Sequence, residues 1–344
     1  MRKTIQLLVG LVISAVAFWL AFRDVQLALV AEALRKANPF YLAVSVLLVG
    51  LGFGSRALSW RAILGMRLAY GRVFDAMLAG FLLNNLLPFR LGELGRAYLI
   101  GREPGLTPTQ GVSSVLVERL IDLLLVLVIL AAFLPLVVGV DLVRNAAGLS
   151  ALLGAVAVAG LVLMARYRHL ALRLLRAILT RLRLPWLSPE RWEPRAAEFL
   201  DGLAVLQDPR RAITATFWSA GAWVCAGLGA WLLLLALLPG ATLTMGFFTL
   251  AVVGLGIAVP SAPGSAGVFE LAAVEALAVF DVDRSLGLTF ALFFHLTHVV
   301  ITSVFGGLAL SREGETLGHL ARSAQGLMAR PRPPEPAGVG GNDK

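Results

Sequence analysis

Residues 73–100 read VFDAMLAGFLLNNLLPFRLGELGRAYLI, an apolar stretch that breaks off in its middle. Its apolar part, residues 74–88, is about 22 Å long as a helix, which is short of the roughly 30 Å hydrocarbon core of a bilayer. The break contains two asparagines, a proline and a glycine, and backbone groups freed there are tolerated in hydrocarbon only beside a cavity or inside protein. The stretch therefore predicts a re-entrant pair of helices that turns back before it crosses a membrane.

The composition of the whole chain indicates a membrane protein. Of its 344 residues 58% are hydrophobic and 15% are charged, against about 45–50% and about 25% in a soluble domain. Mean hydropathy is +0.82, and apolar runs long enough to span a bilayer recur along the chain. These values exclude a soluble globular enzyme, a disordered protein and a collagen-like protein. They predict an all-α, polytopic integral membrane protein.

The sequence lacks the usual signals of catalysis and metal binding. Its single cysteine, Cys225, lies inside an apolar run, so neither a disulfide nor a cysteine-based zinc site is expected. There is no Walker A loop, no Ser-His-Asp arrangement and no dinucleotide fingerprint. We expect no enzymatic activity, no cofactor, no bound metal and no nucleic-acid partner.

Arginine-rich loops set the topology of the other apolar segments. The positive-inside rule places the N-terminus, the tail, residues 56–72 and the long polar loop 166–211 in the cytoplasm. The loop at 56–72 is assigned in this way through Arg56, Arg61, Arg67 and Arg72. About six full spans are expected, at residues 5–22, 40–57, 111–138, 148–165, 212–238 and 286–310.

With those sides fixed, residues 73–110 must return to the cytoplasmic side that they left, and residues 246–280 must return to the outer side. The second segment also has two short halves, which meet at PSAPGSAG, residues 260–267. Residues 39–138 and 212–310 thus each contain a span, a re-entrant pair and a span in opposite orientation, an inverted repeat typical of transporters. If the short halves were full spans instead, some arginine-rich loops would lie outside.

Four regions follow from this topology. They are a membrane half with a cytoplasmic-side re-entrant pair, a basic cytoplasmic loop, a membrane half with an outer-side re-entrant pair, and a cytoplasmic tail. The tail is rich in proline and glycine from residue 331 and is expected to be mostly disordered. The bounds of the four regions are 1–165, 166–211, 212–310 and 311–344.

The cytoplasmic loop contains a basic amphipathic segment at residues 167–184. Its aliphatic residues share one broad face of a helix, and Arg173, Arg176 and Arg183 occupy the other. The aliphatic residues are Leu170, Leu174, Leu175, Ile178, Leu179 and Leu182. We expect this helix to lie on the inner leaflet and to contact anionic lipids; the alternative is a helix of a small cytoplasmic subdomain.

The break in residues 73–100 supplies the first of four candidate polar clusters. A charge at the centre of an apolar helix costs about 2.5–3.5 kcal/mol, so it needs a reason. A helix N-terminus at such a break attracts phosphate or carboxylate, and Arg90 and Arg96 would add charge-assisted hydrogen bonds. Glu93 could pair with an arginine, bind a cationic head group or carry a proton. An ordinary cytoplasmic loop with solvated charges is the alternative.

The second cluster is Glu118, Arg119 and Asp122, which lie at helical spacing inside the apolar run 111–138. Two acids and one base leave an odd negative charge, which Arg90, Arg96 or a bound proton could balance. The alternative is an ion-pair lock between helices with a purely structural role.

The third cluster is the turn of the second re-entrant pair. Pro263 and Gly267 repeat the Pro-x-x-x-Gly spacing of the first turn, and Glu270 follows them as Glu93 follows there. We assign Gly264, Gly267 and Glu270 to substrate binding. For Glu270, an acid that only stabilises a helix N-terminus is the alternative.

The fourth cluster is His295 and His298, which share one face of the last span at i,i+3 spacing. Two histidines alone are a weak signal for a metal. A proton-responsive or hydrogen-bonding role and a structural role with satisfied hydrogen bonds are both open.

Three motifs in this order resemble those of the lysylphosphatidylglycerol synthase transmembrane-region family, also called flippase-like domain proteins. They are NNLLPFRLGE at 84–93 followed by Arg96, VERLID at 117–122 and PGSAGVFE at 263–270. The resemblance extends over residues 5–310. It implies a bacterial or archaeal inner-membrane protein that handles lipids, similar to the part of the synthase that moves an aminoacylated phospholipid across the bilayer.

The resemblance also implies two departures from the family. Only residues 311–344 follow the last span, so we expect the aminoacyl-transfer activity of the synthase to be absent. The last span of the family often has a basic residue at the position of His295. If that position needs a permanent charge, this chain has a pH-dependent site there.

These observations predict a multi-pass translocase of the inner membrane, with both termini cytoplasmic, for a phospholipid or lipid-linked intermediate with an anionic head group. Residues assigned to substrate binding are Asn84, Asn85, Arg90, Gly92, Glu93, Arg96, Gly264, Gly267 and Glu270. Residues assigned to a polar network are Glu118, Arg119, Asp122, His295 and His298. The alternatives are a non-transporting scaffold or partner of a lipid-modifying or glycan-transferring enzyme, and an intramembrane enzyme; a homo-oligomer is open.

Overall fold

The computed structural model describes most of the chain. The described residues are 2–23, 25–87, 90–137, 163, 166–182, 189–203, 207–259, 261–312, 314 and 316–328. They form helices and turns without a β-strand, which confirms the all-α class. The expected span at 148–165, the proline of the first turn (Pro88) and the expected disorder from residue 331 lie outside the described residues.

The helices are numbered along the chain. They are α1 (Arg2–Phe22), α2 (Leu27–Lys36), α3 (Pro39–Ile63), α4 (Tyr70–Leu86), α5 (Leu91–Ile100), α6 (Pro108–Phe133), α7 (Arg168–Leu182), α8 (Pro189–Gly202), α9 (Pro209–Leu237), α10 (Leu243–Gly256), α11 (Val268–Ala278), α12 (Arg284–Arg312) and α13 (Leu317–Met328). Short 3₁₀ turns follow α6 and precede α11, at Leu134–Leu136 and Pro263–Ser265. Among the described residues, α3, α9 and α12 are long and apolar enough to cross a membrane; six full spans stay a prediction.

A polar cap followed by proline begins three of the long helices. The side chains of Asn38, Thr107 and Asp208 accept hydrogen bonds from backbone N–H groups of α3, α6 and α9, and a proline follows each cap. In α6 the side chain of Gln110 returns the bond to the cap, which completes a capping box. These caps fix the first residue of each helix, and with it the positions of the polar residues farther along the helix.

The two segments predicted as re-entrant pairs are antiparallel helical hairpins. The first hairpin is α4 and α5, where the backbones approach so closely that a Cβ on Gly92 would overlap the carbonyl oxygen of Gly80. The second hairpin is α10 and α11, where a Cβ on Gly256 would lie 3.0 Å from the Cβ of Ala272. Two glycines facing each other make the first hairpin the tighter one.

The first helices of the two predicted repeats, α3 and α9, pack antiparallel against each other. Three serines of α3 donate hydrogen bonds of 2.6–2.8 Å to carbonyl oxygens of α9. The residue numbers of the partners decrease as those of the serines increase, because the two helices run in opposite directions. The pairs are Ser45 with Gly229, Ser55 with Trp218 and Ser59 with Ala215. Small residues and hydroxyl groups let the two helices approach closely, as is typical of membrane proteins.

The remaining helix contacts occur in matched sets. The first hairpin packs through α5 on its own last helix, α6, and through α4 on the last helix of the other repeat, α12. The second hairpin packs through α11 on α12 and through α10 on α6. Exchanging residues 39–138 with residues 212–310 thus reproduces the same contacts, which is the arrangement that an inverted repeat requires.

The periphery is formed by α7, α8 and α13. The amphipathic helix α7 packs on α8, and α8 packs on α6. Leu179 of α7 is buried, whereas Leu170, Leu174 and Ile178 are exposed, so the expected apolar face divides between protein contact and an open stripe. In the tail, Leu320 of α13 is fully buried against α5.

Candidate functional site

A cavity of about 700 Å³ lies between the two hairpins. Its volume is in the range of small-molecule sites, and its wall is mostly apolar. Nine of the predicted site residues line it: Asn84, Asn85, Arg90, Glu93, Arg119, Asp122, Gly264, His295 and His298. The other five lie behind the wall: Gly92, Arg96, Glu118, Gly267 and Glu270. Residues from all four predicted clusters therefore meet at one place.

The turns of the two hairpins touch each other at this cavity. Arg90 precedes α5 with a left-handed backbone (φ 52°) and its Nη2 donates to the carbonyl oxygen of Ile257, 2.6 Å away in the second hairpin. A Cβ on Gly264 would lie 3.9 Å from the Cα of Asn85. The left-handed conformation is costly for an arginine, and here it aims the guanidinium group at the opposite hairpin.

The side chains of the two asparagines next to the first turn form hydrogen bonds with the backbone of α5 and with a side chain of α12. Oδ1 of Asn84 accepts from the backbone N–H of Gly92 at 2.8 Å, and Nδ2 of Asn85 donates to Oγ1 of Thr302 on α12 at 2.8 Å. The backbone N–H of Glu93 donates to the carbonyl oxygen of Arg90. The N–H groups of Gly92 and Glu93 already have partners, so neither is open to bind a head group.

Glu118 is completely buried among three arginines. Its Oε2 lies 2.8 Å from Nη1 of Arg96, and its Oε1 lies 2.8 Å from Nη2 of Arg119 and 3.2 Å from Nη1 of Arg56. The arginines come from α5, α6 and α3. The carboxylate therefore joins the first hairpin to the first and last helices of its repeat.

Asp122 forms a second junction one helical turn farther along α6. Its Oδ2 lies 2.6 Å from Nη1 of Arg56 and 3.3 Å from Nη2 of Arg119. Its Oδ1 accepts hydrogen bonds from Oγ of Ser219 at 3.1 Å and from Nε1 of Trp223 at 3.0 Å, both on α9. Each oxygen is thus satisfied, as a buried carboxylate requires.

Arg56 is a site residue that the sequence reasoning missed. The positive-inside argument assigned it to a cytoplasmic loop at 56–72, but it lies inside α3, and its side chain is 17% exposed and paired with two buried carboxylates. The odd negative charge on α6 was a signal that another arginine was needed. Of the two arginines that the sequence offers as partners, Arg96 does contact Glu118, whereas Arg90 lies 3.7 Å from Glu93 instead.

The structure places Arg96 in a different position from the one expected of a substrate-binding residue. Its side chain is completely buried, and its guanidinium group lies over the ring of Trp60, with 4.8 Å from Cζ to the ring centroid. It does not reach the cavity. Because the helix turns this residue away from the cavity and toward Glu118, its role in this conformation is to hold charge inside the protein.

The charged residues of α3, α6 and the first hairpin leave a formal charge of +1 around the cavity, with the Glu270–His295 pair of the second hairpin not included. Four guanidinium groups face three carboxylates in this part of the described chain: Arg56, Arg90, Arg96 and Arg119 against Glu93, Glu118 and Asp122. The side chains of Arg90 and Arg119 are 37% and 31% exposed and line the cavity. The excess positive charge can therefore meet an anion there.

The second hairpin is held by a glutamate and a histidine. Oε2 of Glu270 accepts from the backbone N–H of Gly267 at 2.7 Å, and Oε1 lies 2.6 Å from Nδ1 of His295. Nε2 of His295 lies 2.9 Å from the carbonyl oxygen of Gly264. Both glycines have a positive φ, and a Cβ on Gly267 would overlap the backbone of Ser14 in α1.

The second histidine has a separate environment. Nδ1 of His298 donates to the carbonyl oxygen of Phe294, 2.8 Å away on the same helix. Its ring meets the edges of Phe294 and Phe53. Within the described residues no group of three histidine, cysteine or acidic side chains could hold a metal ion.

Residues 7–306 match the family model described as Lysylphosphatidylglycerol synthase TM region. The match begins in α1, ends in α12 and contains both hairpins, the cavity and the charged residues around it. No curated protein matches the chain. The site described above thus lies entirely within a region defined by one membrane-protein family.

Proposed function

We propose that this chain, which belongs to the lysylphosphatidylglycerol synthase TM region family, moves a lipid or lipid-linked intermediate with an anionic head group across the membrane. The family is membrane-associated and lipid-related. The observation that carries the proposal is the cavity between two hairpin turns, whose wall is apolar but contains an unbalanced positive charge. The acyl chains of a lipid need apolar surroundings, and its anionic head group needs positive charge beside them.

The head group would be bound by Arg90 and Arg119. Both guanidinium groups face the cavity, and the paired donors of arginine fit phosphate and carboxylate oxygens. Glu93, whose Oε1 lies 3.7 Å from Arg90 and 3.9 Å from Arg119, would set how strongly the two arginines attract an anion. The acyl chains would lie against apolar residues of the wall, such as Val49, Phe53, Leu123, Val126, Leu250 and Val253.

Alternating access would follow from the opposed hairpins. In this proposal the first hairpin enters the bilayer from the cytoplasmic side and the second from the outer side, with six full spans around them. Separation of one turn from the other would open the cavity to one side at a time. The proposal contains no catalytic step, and it places the protein in the inner membrane with both termini in the cytoplasm.

Helix α7 would lie on the inner leaflet. Its open stripe of Leu170, Leu174 and Ile178 is flanked by exposed arginines, and this combination suits an anionic membrane surface. Anionic lipids of that leaflet are therefore proposed as peripheral partners, separate from the lipid in the cavity.

A non-transporting scaffold is the second candidate, and the saturated contacts of Glu118 and Asp122 favour it. If those contacts only lock the helices, their loss should lower the amount of folded protein and leave any turnover per molecule unchanged. A scaffold would also need a protein partner, either a lipid-modifying or glycan-transferring enzyme or a second copy of this chain.

The proposal is tested by native mass spectrometry of the gently purified protein followed by a lipid-flipping assay in vesicles. We expect one lipid class to be enriched on the wild type and to fall at least about tenfold on Arg90→Ala, about 1.4 kcal/mol. Glu93→Gln removes the negative charge beside the two arginines, so the bound lipid should rise on that variant. Arg312→Ala, which removes an exposed arginine from the end of α12, is the control and should retain the lipid. Unchanged lipid binding together with normal flipping by both cavity variants would contradict the proposal.

A further inference from the structure

His295 faces a hydrogen-bond acceptor at each of its two ring nitrogens. Nε2 lies 2.9 Å from the carbonyl oxygen of Gly264, which can only accept, so Nε2 carries a proton. Nδ1 lies 2.6 Å from Oε1 of Glu270. A neutral imidazole has one N–H, so this second contact needs a second proton, located on Nδ1 or on the carboxyl group. The pair therefore holds one proton more than a neutral histidine beside a carboxylate.

The surroundings of the pair favour the imidazolium–carboxylate form. Oε2 of Glu270 accepts from the backbone N–H of Gly267 at 2.7 Å at the N-terminus of α11, where a negative charge is favoured. The ring of Phe269 stacks on the imidazole with 4.4 Å between centroids, and an aromatic face attracts a cation. The two side chains are only 13% and 4% exposed, so these protein contacts, and not water, must offset the cost of burying the two charges.

The other charged groups around the cavity are arginines and the carboxylates that lie beside them. Arginine stays protonated at every physiological pH, and the carboxylates opposite the pair are held by arginines. The groups that face the pair from α3, α5, α6 and the turn before α5 are Arg56, Arg90, Glu93, Arg119 and Asp122, and His298 lies one turn along α12. The described residues of α4, α9 and α10 add no titratable side chain to the wall. The proton on the pair is thus the charge that can change.

We propose that Glu270 and His295 form a binding site for one proton, and that this protein moves an anionic head group together with that proton. The inference rests on the proposed function. While the proton is bound, the pair is neutral as a whole and Arg90 and Arg119 are free to attract an anion. When it leaves to water, the carboxylate of Glu270 remains directly behind His295 of the wall as a negative charge that opposes the anion. By linkage, the anion must in turn strengthen proton binding.

Release of the proton also loosens the attachment of the second hairpin to α12. Without it, His295 keeps only one of its two links, either to Glu270 or to the turn at Gly264. That turn lies against the backbone of Asn85 in the first hairpin. The proton is therefore bound where the second turn is tied both to α12 and to the opposite hairpin, the place at which opening of the cavity must begin.

The proton site is tested without any lipid substrate, by ¹⁵N NMR of histidine-labelled protein in phosphatidylcholine nanodiscs together with infrared spectra. We expect near neutral pH either an imidazolium signal that is lost in His295→Gln, or a protonated-carboxyl band that is lost in Glu270→Gln. His298→Gln is the matched control and should keep the signal. A neutral His295 beside an ionised Glu270 from pH 5 to pH 8 would overturn the site, whatever the transport results.

The coupling is tested in phosphatidylcholine vesicles that contain a small fraction of fluorescent phosphatidylglycerol. Since one pH unit is a tenfold change in proton activity, we expect a gradient of one unit to change the wild-type flipping rate by up to about tenfold. His295→Gln and His295→Lys should lose this response, and His319→Gln, at an exposed position of α13 outside the cavity, should keep it. Flipping that ignores the gradient would overturn the coupling alone. A wild type that flips no lipid would overturn the coupling and the proposed function together.

Discussion

The two hairpins are attached to the helices around the cavity by different kinds of side chain. The first is joined to its neighbours through arginine–carboxylate pairs, in which Glu118 alone contacts three guanidinium groups. The second has no arginine in its turn and is joined through Glu270 and His295. Arginine keeps its charge at physiological pH, whereas histidine changes charge near neutrality. The difference indicates a first hairpin that stays fixed and a second hairpin whose attachment can be altered.

Replacing the glutamate of each attachment by glutamine should give the largest difference in stability between the two hairpins. Glu118→Gln leaves three arginines short of a partner, of which Arg96 is completely buried. Since they cannot lose their protons, we expect a loss of about 3–5 kcal/mol of stability. Glu270→Gln leaves a histidine that can become neutral, so we expect only the roughly 1–3 kcal/mol of an unmade buried hydrogen bond. Thermal or denaturant unfolding of the two variants in the same detergent measures the difference.

A matched pair of this kind separates charge from shape, because both substitutions keep the size of the side chain. Equal destabilisation of the two variants would show that the hairpins are held equally firmly, and the distinction between a fixed and a movable hairpin would be wrong.

The two helices of the first hairpin approach each other more closely than those of the second. This difference predicts the second-largest loss of stability. Gly92→Ala puts a methyl group onto the backbone carbonyl of Gly80, which cannot move without its helix, so we expect a loss of about 1–3 kcal/mol. Gly256→Ala meets the side chain of Ala272 at 3.0 Å, which needs a smaller shift, and we expect less than half of that loss. Gly50→Ala, with nothing within 4 Å of the added group, serves as control. The unfolding midpoint should fall most for Gly92→Ala, less for Gly256→Ala and least for Gly50→Ala. A Gly256→Ala variant less stable than Gly92→Ala would contradict this order.

The hairpins could be predicted from sequence because the signals are local. Each has two apolar halves that are too short to cross a bilayer, with a proline- and glycine-containing break between them, and both properties can be read along a few dozen residues. The match of the family model to residues 7–306 confirms the family that the three motifs indicate.

The partners of the charged residues could not be predicted, since they depend on how distant helices are rotated. Arg56 stands at the end of an apolar run and looks like the start of a loop, yet its carboxylate partners lie more than sixty positions along the chain. Arg96 and Arg90 are six residues apart, but only Arg90 faces the cavity. Which side of a helix meets the cavity follows from packing against other helices, and the pattern of one helix does not contain that information.

The smallest effect is expected at the one arginine pair of the second hairpin within the described chain. Oε1 of Glu275 lies 3.0 Å from Nη2 of Arg284, and the glutamate side chain is 53% exposed. Such a pair contributes about 0–1 kcal/mol and weakens as salt screens it. Glu275→Gln should therefore shift the unfolding midpoint slightly at low salt and not at all at high salt, since Arg284 keeps its bond to the carbonyl oxygen of Leu20. A shift as large as that of Glu118→Gln would show a second strong arginine attachment, and the proton pair would then no longer be the weak point of this hairpin.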